Sequence, residues 1–178
     1  KSRIDEIPEL IKNEAIIIGT KLLTKRLQPT DGFDVAVMLN ADSYLNIPDF
    51  RAAERAYQEI SGIADKLKPE GQAFIQTRMP QNYLFGFVKN HDYTGFSEEE
   101  LKKRKEMAYP PYSGLALITF KGSGYNDEKT RDIAAKEGQK GNMEILGPSM
   151  MMNKKGGKEH VLLLKSESKA VLNRNAYP

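Results

Sequence analysis

Pro48-Asp49-Phe50-Arg51-Ala52-Ala53-Glu54-Arg55 is the stretch around which the rest of the chain is organised. On a helix, Phe50, Ala53, Tyr57 and Ile60 fall on one stripe, while Arg51, Arg55 and Gln58 share another. One face packs and the other presents two guanidinium groups. Asn46 or Asp49 is placed to cap the start, and Pro48 suits an early helical position because its missing N–H would have had no partner. A helix is therefore expected from Asn46 onward, with its arginines either solvated or set beside a nucleotide or nucleic-acid site.

The flanking segments supply an α/β setting. Ile7, Leu10 and Ile11 are spaced for a short amphipathic helix, and Ala15-Ile16-Ile17-Ile18 is a β-branched run expected to form a buried strand of a parallel sheet. It leads into Gly19-Thr20-Lys21, where a glycine permits close backbone approach, a hydroxyl can donate or accept, and an ammonium can meet phosphate; a purely conformational turn reads the same way. Asp34 to Leu39 is the next buried strand, and Asn40-Ala41-Asp42 leaves a carboxylate at the edge of the sheet where ligands gather in open α/β folds. Gln72 to Thr77 is a third strand, introduced by a turn around Pro69-Glu70-Gly71. Strand, loop, strand, helix, strand is half of a doubly wound lobe. No Gly-x-x-x-x-Gly-Lys-Ser/Thr loop is present, so the chain has no such device of its own for a nucleoside triphosphate.

From Met79 to Tyr112 the pattern is helical. Tyr83, Leu84, Phe87 and Val88 make an apolar face after Pro80, interrupted by Gly86. Ser97 with Glu100 has the form of a capping box, with Phe96 and Leu101 as its hydrophobic staple, so a helix is expected to start at Ser97. Its run Lys102 to Lys105 reads as a solvated, self-paired face. Tyr109-Pro110-Pro111-Tyr112 stops it. Beyond, Gly114 to Phe120 is a strand, Asn126 or Asp127 caps a helix ending at Gly138 or Gly141, and Glu144 to Pro148 is a short strand cut off by Gly-Pro. Lys154-Lys155-Gly156-Gly157-Lys158 separates Met150-Met151-Met152 from His160 to Lys165, a hairpin signal. Ser166 or Ser168 caps a last short helix. The order β-α-β-β-α is that of a split β-α-β, ferredoxin-like domain without its final strand. The lysine-rich tip is either a plain hairpin turn or a contact for a nucleic-acid backbone.

Composition sets limits. The 178 residues are 39% hydrophobic, enough for two small cores, and the 27 basic and 24 acidic residues leave a net charge of +3, which permits an anionic partner without requiring one. With no cysteine, neither a disulfide nor a thiolate zinc site can form within the chain. His160 reads as a strand residue rather than a ligand, and His91 has no metal partners at useful spacing. No apolar run reaches membrane-spanning length, and a cytoplasmic setting fits.

The quoted stretches together resemble the C-terminal part of the PriA family of replication-restart DNA helicases. Ile18 to Lys25 resembles that family's fifth helicase motif. Leu39-Asn40-Ala41-Asp42 with Pro48 to Arg55 resembles its Leu-x-x-Asp and Pro-Asp-Phe-Arg-Ala-x-Glu-Arg signature, the most specific of the matches. Gly71 with Phe74 to Thr77, Tyr109 to Tyr112, Leu146-Gly147-Pro148 and Lys154 to Lys158 follow in the family's order. The resemblance implies an α/β fold: a partial RecA-like second helicase lobe with a parallel sheet over residues 1–80, a helical connector over 81–111, and an α+β S10-like, ferredoxin-like DNA-binding domain over 112–178. It implies a superfamily 2 enzyme that uses ATP and Mg2+ to move 3′ to 5′ along DNA. The expected partners are forked or single-stranded DNA, other primosome proteins and single-strand-binding protein, with no membrane. In that scheme Gly19, Thr20, Lys21 and Lys25 couple nucleotide to DNA. Asp42, Arg51 and Arg55 line or brace the catalytic cleft, and Lys154, Lys155, Gly156, Gly157 and Lys158 contact DNA. No cofactor is expected on this chain alone, and the family's zinc lies outside it. Two departures matter. A longer Leu27 to Phe33 segment follows Arg26. Glu59 to Lys66 stands where the family's sixth motif carries two arginines, so a non-catalytic DNA-binding or assembly module derived from such a helicase is the alternative.

Overall fold

The protein is described here by a computed structural model covering residues 16–28, 32–121, 124, 126–138, 143–152 and 156–167. The helix expected over Ile7 to Ile11 and the one expected after Ser166 lie outside the described residues. Two compact units divide within a helix, after Glu100.

The first unit contains α1 (Lys21–Thr24), β1 (Phe33–Met38), α2 (Asp42–Leu45), α3 (Ala52–Ala64), β2 (Leu67–Ile75), α4 (Tyr83–Lys89) and most of α5 (Tyr93–Glu106). β1 and β2 pair in parallel, Val35 opposite Gln72 through Met38 opposite Ile75, and α2 and α3 form the crossover between them. Parallel neighbours require such a connection, because a tight turn cannot return the chain to the same end of the sheet. The core gathers Met38, Ala41, Ala56, Tyr57, Ile60, Leu84 and Phe96. At its centre the Phe96 ring stacks on Tyr57, with centroids 4.4 Å apart and planes 19° apart.

Several expectations are corrected. Ile16 to Thr20 form no strand, and Ile16 and Ile18 are 92% and 93% exposed. A β-branched run becomes a buried strand only when a neighbouring strand and a covering layer receive it, and local propensity supplies neither. β1 is buried on one face only. Val35, Val37 and Phe74 are more than half exposed, whereas Met38 and Ile75, at alternate positions, join the core. The helix does not run from Asn46. α2 ends there, and the residue before Pro48 is disfavoured from helical geometry, so α3 begins only at Ala52. The turn at Pro69-Glu70-Gly71 is absorbed into β2 as an irregularity: Phe33 faces Leu67, while Val35 already faces Gln72. A Cβ on Gly71 would stand 2.8 Å from the Phe33 carbonyl oxygen and 3.0 Å from that of Lys68, so glycine is what lets the backbones approach there.

α5 starts at Tyr93 rather than Ser97. Asp92 Oδ1 accepts the Gly95 N–H at 2.8 Å, and Ser97 Oγ donates to the Thr94 carbonyl, a bond made within the helix and not at its start. Glu100 is buried and accepts a 2.6 Å hydrogen bond from the Tyr83 hydroxyl, so it does not close a capping box. α4 starts as a capped helix should, with Asn82 Oδ1 accepting the Leu84 N–H.

The second unit contains β3 (Gly114–Phe120), α6 (Asp127–Gly138), β4 (Glu144–Met152) and β5 (Lys158–Ser166), in an antiparallel sheet of order β3-β5-β4. Asn126 Oδ1 accepts the Lys129 N–H at the start of α6, as its side chain suggests. Met143, Leu162 and Leu164 form the core, with Ala116, Ile118, Phe120, Ala134 and Ile145 packed against it. The Gly147-Pro148 pair does not end β4. The strand continues to Met152 with a register shift between Leu146 and Ser149, and Gly147 takes a φ of +121° with the Val161 carbonyl oxygen 2.9 Å from where a Cβ would stand. A proline that cannot donate is tolerated because it sits at a bulge of an edge strand.

Candidate functional site

The carboxyl ends of β1 and β2 meet in a set of hydrogen bonds that organises the expected site. Asn40, with a φ of +53°, donates its N–H to Gln76 Oε1 at 3.0 Å. Ala41 donates to the Gln76 carbonyl, and Gln76 returns a bond to Met38. This turn places Asp42 at the start of α2, where its carboxylate reaches the chain leaving β2. Thr77 Oγ1 donates to Asp42 Oδ1 at 2.5 Å, and the Arg78 N–H donates to Oδ2 at 2.9 Å. The Thr77 oxygen in turn accepts the Met79 N–H. The Thr77 hydroxyl, then the Arg78 amide, hold the Asp42 carboxyl below its ordinary value, with the Arg78 charge adding to them against the opposing effect of burial. Asp42 is thus an ionised acceptor, 7% exposed, that ties the ends of the two strands together.

Asp49 organises the start of α3. Its Oδ1 accepts the Arg51 N–H at 2.9 Å and its Oδ2 pairs with Arg55 Nη2 at 2.8 Å. The Arg51 guanidinium lies 5.2 Å from the centroid of the Phe50 ring. Arg51, Arg55 and Gln58 are all exposed, as their shared stripe implies, while the buried side of α3 is Ala52, Ala56, Tyr57 and Ile60; Phe50 precedes the helix.

The Gly19-Thr20-Lys21 segment runs into α1, with the Thr20 carbonyl accepting the Leu23 N–H at 2.7 Å. Lys21 Nζ pairs with Glu59 of α3 and lies 6.0 Å from the centroid of the Tyr44 ring. This segment is therefore tethered to the helix that bears the arginines. Lys25 is exposed at the end of α1. In the second unit, Gly156 (φ +80°) and Gly157 lead into Lys158, the first residue of β5, which pairs with Met152. Lys154 and Lys155 lie outside the described residues.

The residues that sequence reasoning missed are Thr77 and Arg78 as partners of Asp42; Asp49, expected only as a cap, also pairs with the Arg55 guanidinium. The first pair had a signal: a hydroxyl and a cation follow β2 after one residue, and Asp42 lies just past the end of β1, its parallel partner. Among the described residues, no three His, Cys, Asp or Glu side chains are grouped to hold a metal ion, and no helix is long and apolar enough to cross a membrane.

No family profile matches the chain. It is 41% identical over 107 residues to a Replication restart protein PriA of Bacillus subtilis, covering 58% of this chain and 13% of that protein. It is 38% identical over 141 residues to the PriA protein of a Synechocystis species, covering 75% of this chain and 17% of that protein. With the PriA protein of Thermotoga maritima the identity is 31% over 166 residues, covering 90% and 22%. The chain thus spans between about an eighth and a quarter of the length of the curated relatives it matches. Similarity running through both units, over as much as 90% of the sequence, places the chain in the PriA replication restart family, in a segment of the C-terminal type.

Proposed function

We propose that the chain serves replication restart as the C-terminal part of an ATP-dependent DNA helicase, one that moves 3′ to 5′ on forked or single-stranded DNA beside other primosome proteins. In this reading the first unit is part of a RecA-like second lobe, and the second is an S10-like DNA-binding domain. One observation carries it: in a chain of the PriA family, an ionised Asp42 ties together the carboxyl ends of two parallel strands, and Arg51 and Arg55 project at the start of the crossover helix between those strands. Ligands of open α/β sheets collect at that edge.

ATP and Mg2+ belong to such an activity, and the chain's residues fit one side of them only. Arg51 and Arg55 are suited to an anionic phosphate. Both oxygens of Asp42 already accept hydrogen bonds, and the sequence has no phosphate-cradling Gly-Lys-Ser/Thr loop. In this reading the nucleotide and its metal are held chiefly by parts of the protein outside this sequence. The chain's own residues brace the sheet edge and offer cations to the nucleotide or the DNA.

A second reading, a non-catalytic DNA-binding or assembly module, is favoured by a separate observation. Lys21 is paired with Glu59 and Arg55 with Asp49, so two of the expected cations are already neutralised, and Ile63 to Lys66 carries neither arginine of the sixth motif.

The helicase reading, and the DNA-binding form of the second, place DNA at the lysine-rich segment between β4 and β5. Replacing Lys154, Lys155 and Lys158 with alanine should weaken binding of a fluorescent fork and lower the slope of log K against log salt by about one for each lysine that contacts phosphate. An unchanged slope removes the hairpin from the interface. DNA-stimulated ATP hydrolysis by the chain within its parent protein separates the two readings: an enzyme loses rate on Arg51→Ala, and a module shows no hydrolysis to lose.

A further inference from the structure

On the flank of α3, a cavity of about 320 Å³ is lined by Tyr57, Gln58, Ser61, Gly62, Asp65, His91 and Tyr93. Its volume lies at the lower end of the range for small-molecule sites, about 300 Å³ and upward. None of the residues assigned above to nucleotide or DNA lines it. We propose that it receives one unstacked nucleobase of a single strand, an inference that rests on the DNA-binding reading and adds a base-contacting subsite to it.

Three observations converge on a flat, hydrogen-bonding ligand. An aromatic platform is present. Tyr93 is 55% exposed, its ring centroid is 5.6 Å from that of Tyr57, and Tyr57 is stacked in turn on the buried Phe96. A ring set against the core in this way is held in place and needs little further ordering to meet a base.

Asp65 and Gln58 suit the edge of a base, beside the Ser61 hydroxyl and the His91 imidazole. Asp65 presents a carboxylate, which accepts from an amino or imino group and repels an anion. Gln58, exposed on the same helix, offers both a donor and an acceptor. These are the groups that read an exposed base edge. The backbone, in this arrangement, is left to the cations elsewhere on the chain.

Gly62 is the third observation. It lies in the interior of α3, where glycine is the least favourable residue after proline, and a Cβ placed on it meets nothing within 4 Å. No packing inside the protein therefore demands a glycine there. The space it leaves belongs to the cavity.

The test uses the 178-residue chain and two fluorescein-labelled 12-mers, oligo-dC and an abasic strand of the same length, with affinities read by anisotropy at fixed salt. Cytosine carries an exocyclic amino group that can donate to Asp65. Wild-type protein is expected to prefer oligo-dC by about fivefold or more, the scale of one base–aromatic stack. Gly62→Leu should abolish that preference while leaving the abasic affinity unchanged. Leucine is the better helix former, so far-UV ellipticity must be undiminished. Tyr93→Ala should reduce the preference in the same way. Equal affinity of the wild type for both strands, or a preference that survives in Gly62→Leu, overturns the pocket while leaving backbone contact through lysines intact. Binding of neither strand overturns the DNA-binding reading, and the pocket with it.

Discussion

Phe96→Ala is the sharpest single test of the first unit. Phe96 is 1% exposed, and its ring lies 4.4 Å from Tyr57, 6.2 Å from both Tyr83 and Phe87, and 6.5 Å from Tyr93. Truncating a buried phenylalanine removes its transfer free energy and leaves a cavity that neighbours fill only in part, a loss of about 3–5 kcal/mol. Domains have about 5–15 kcal/mol in total, so the substitution removes a large share of the stability of this unit. For a unit of roughly 100 residues, 3 kcal/mol corresponds to a fall in Tm of about 12–24 °C. Urea and thermal unfolding followed by far-UV ellipticity would read it, with the transition of the second unit serving as an internal control. The alternative reading of the same residue, a staple at a helix start near Ser97, implies a surface contact worth about 1 kcal/mol or less. A loss below that figure would refute the placement of Phe96 at the centre of the core.

Asp42 carries a prediction about pH. Its folded carboxyl titrates below the ordinary value of 3.8, so the stability it contributes is present above that value and is lost as pH falls through the folded one. Asp42→Asn should therefore narrow its stability deficit as the solution is acidified below pH 3.8; a carboxyl carbon resonance that titrates at or above 3.8 would contradict the hydrogen bonds to Thr77 and Arg78. Gly71→Ala should destabilise the first unit by about 1–3 kcal/mol, as overpacking does, because its Cβ would meet backbone oxygens of both strands. A neutral result would show that β2 can shift freely away from β1 at its irregularity.

Much of this architecture was legible because local chemistry and tertiary structure agree. Asn126 stands where a cap is expected and does cap α6. The apolar runs at Phe33 to Met38 and Gly114 to Phe120 are strands, and the glycines between Met152 and Lys158 separate antiparallel partners. The exposed placement of Arg55 and Gln58 followed from helical spacing, whereas Arg51 stands just before α3. What was not legible depended on partners distant in sequence. Ile16 and Ile18 have the composition of a strand, and strand formation needs a neighbour that composition does not reveal. Ser97 and Glu100 have the spacing of a capping box, but Glu100 is claimed by Tyr83, seventeen residues away, and Asp92 stops the helix from starting later. The Asp42–Thr77 pair spans 35 positions and becomes visible only once β1 and β2 are known to run side by side.

The outward side of the β1-β2 pair has a practical consequence. Val35, Val37 and Phe74 face water there together, and Ile16, Ile18 and Leu39 are also open to solvent. Apolar area left hydrated is favoured to find other apolar area, at roughly 25 cal/mol for each Å² removed. Handled alone, this polypeptide should therefore become less monodisperse as it is concentrated, stick to hydrophobic resins, and bind dyes that brighten on greasy surfaces while still fully folded. Sulfate should worsen that tendency, and a modest dose of urea should relieve it before any unfolding begins.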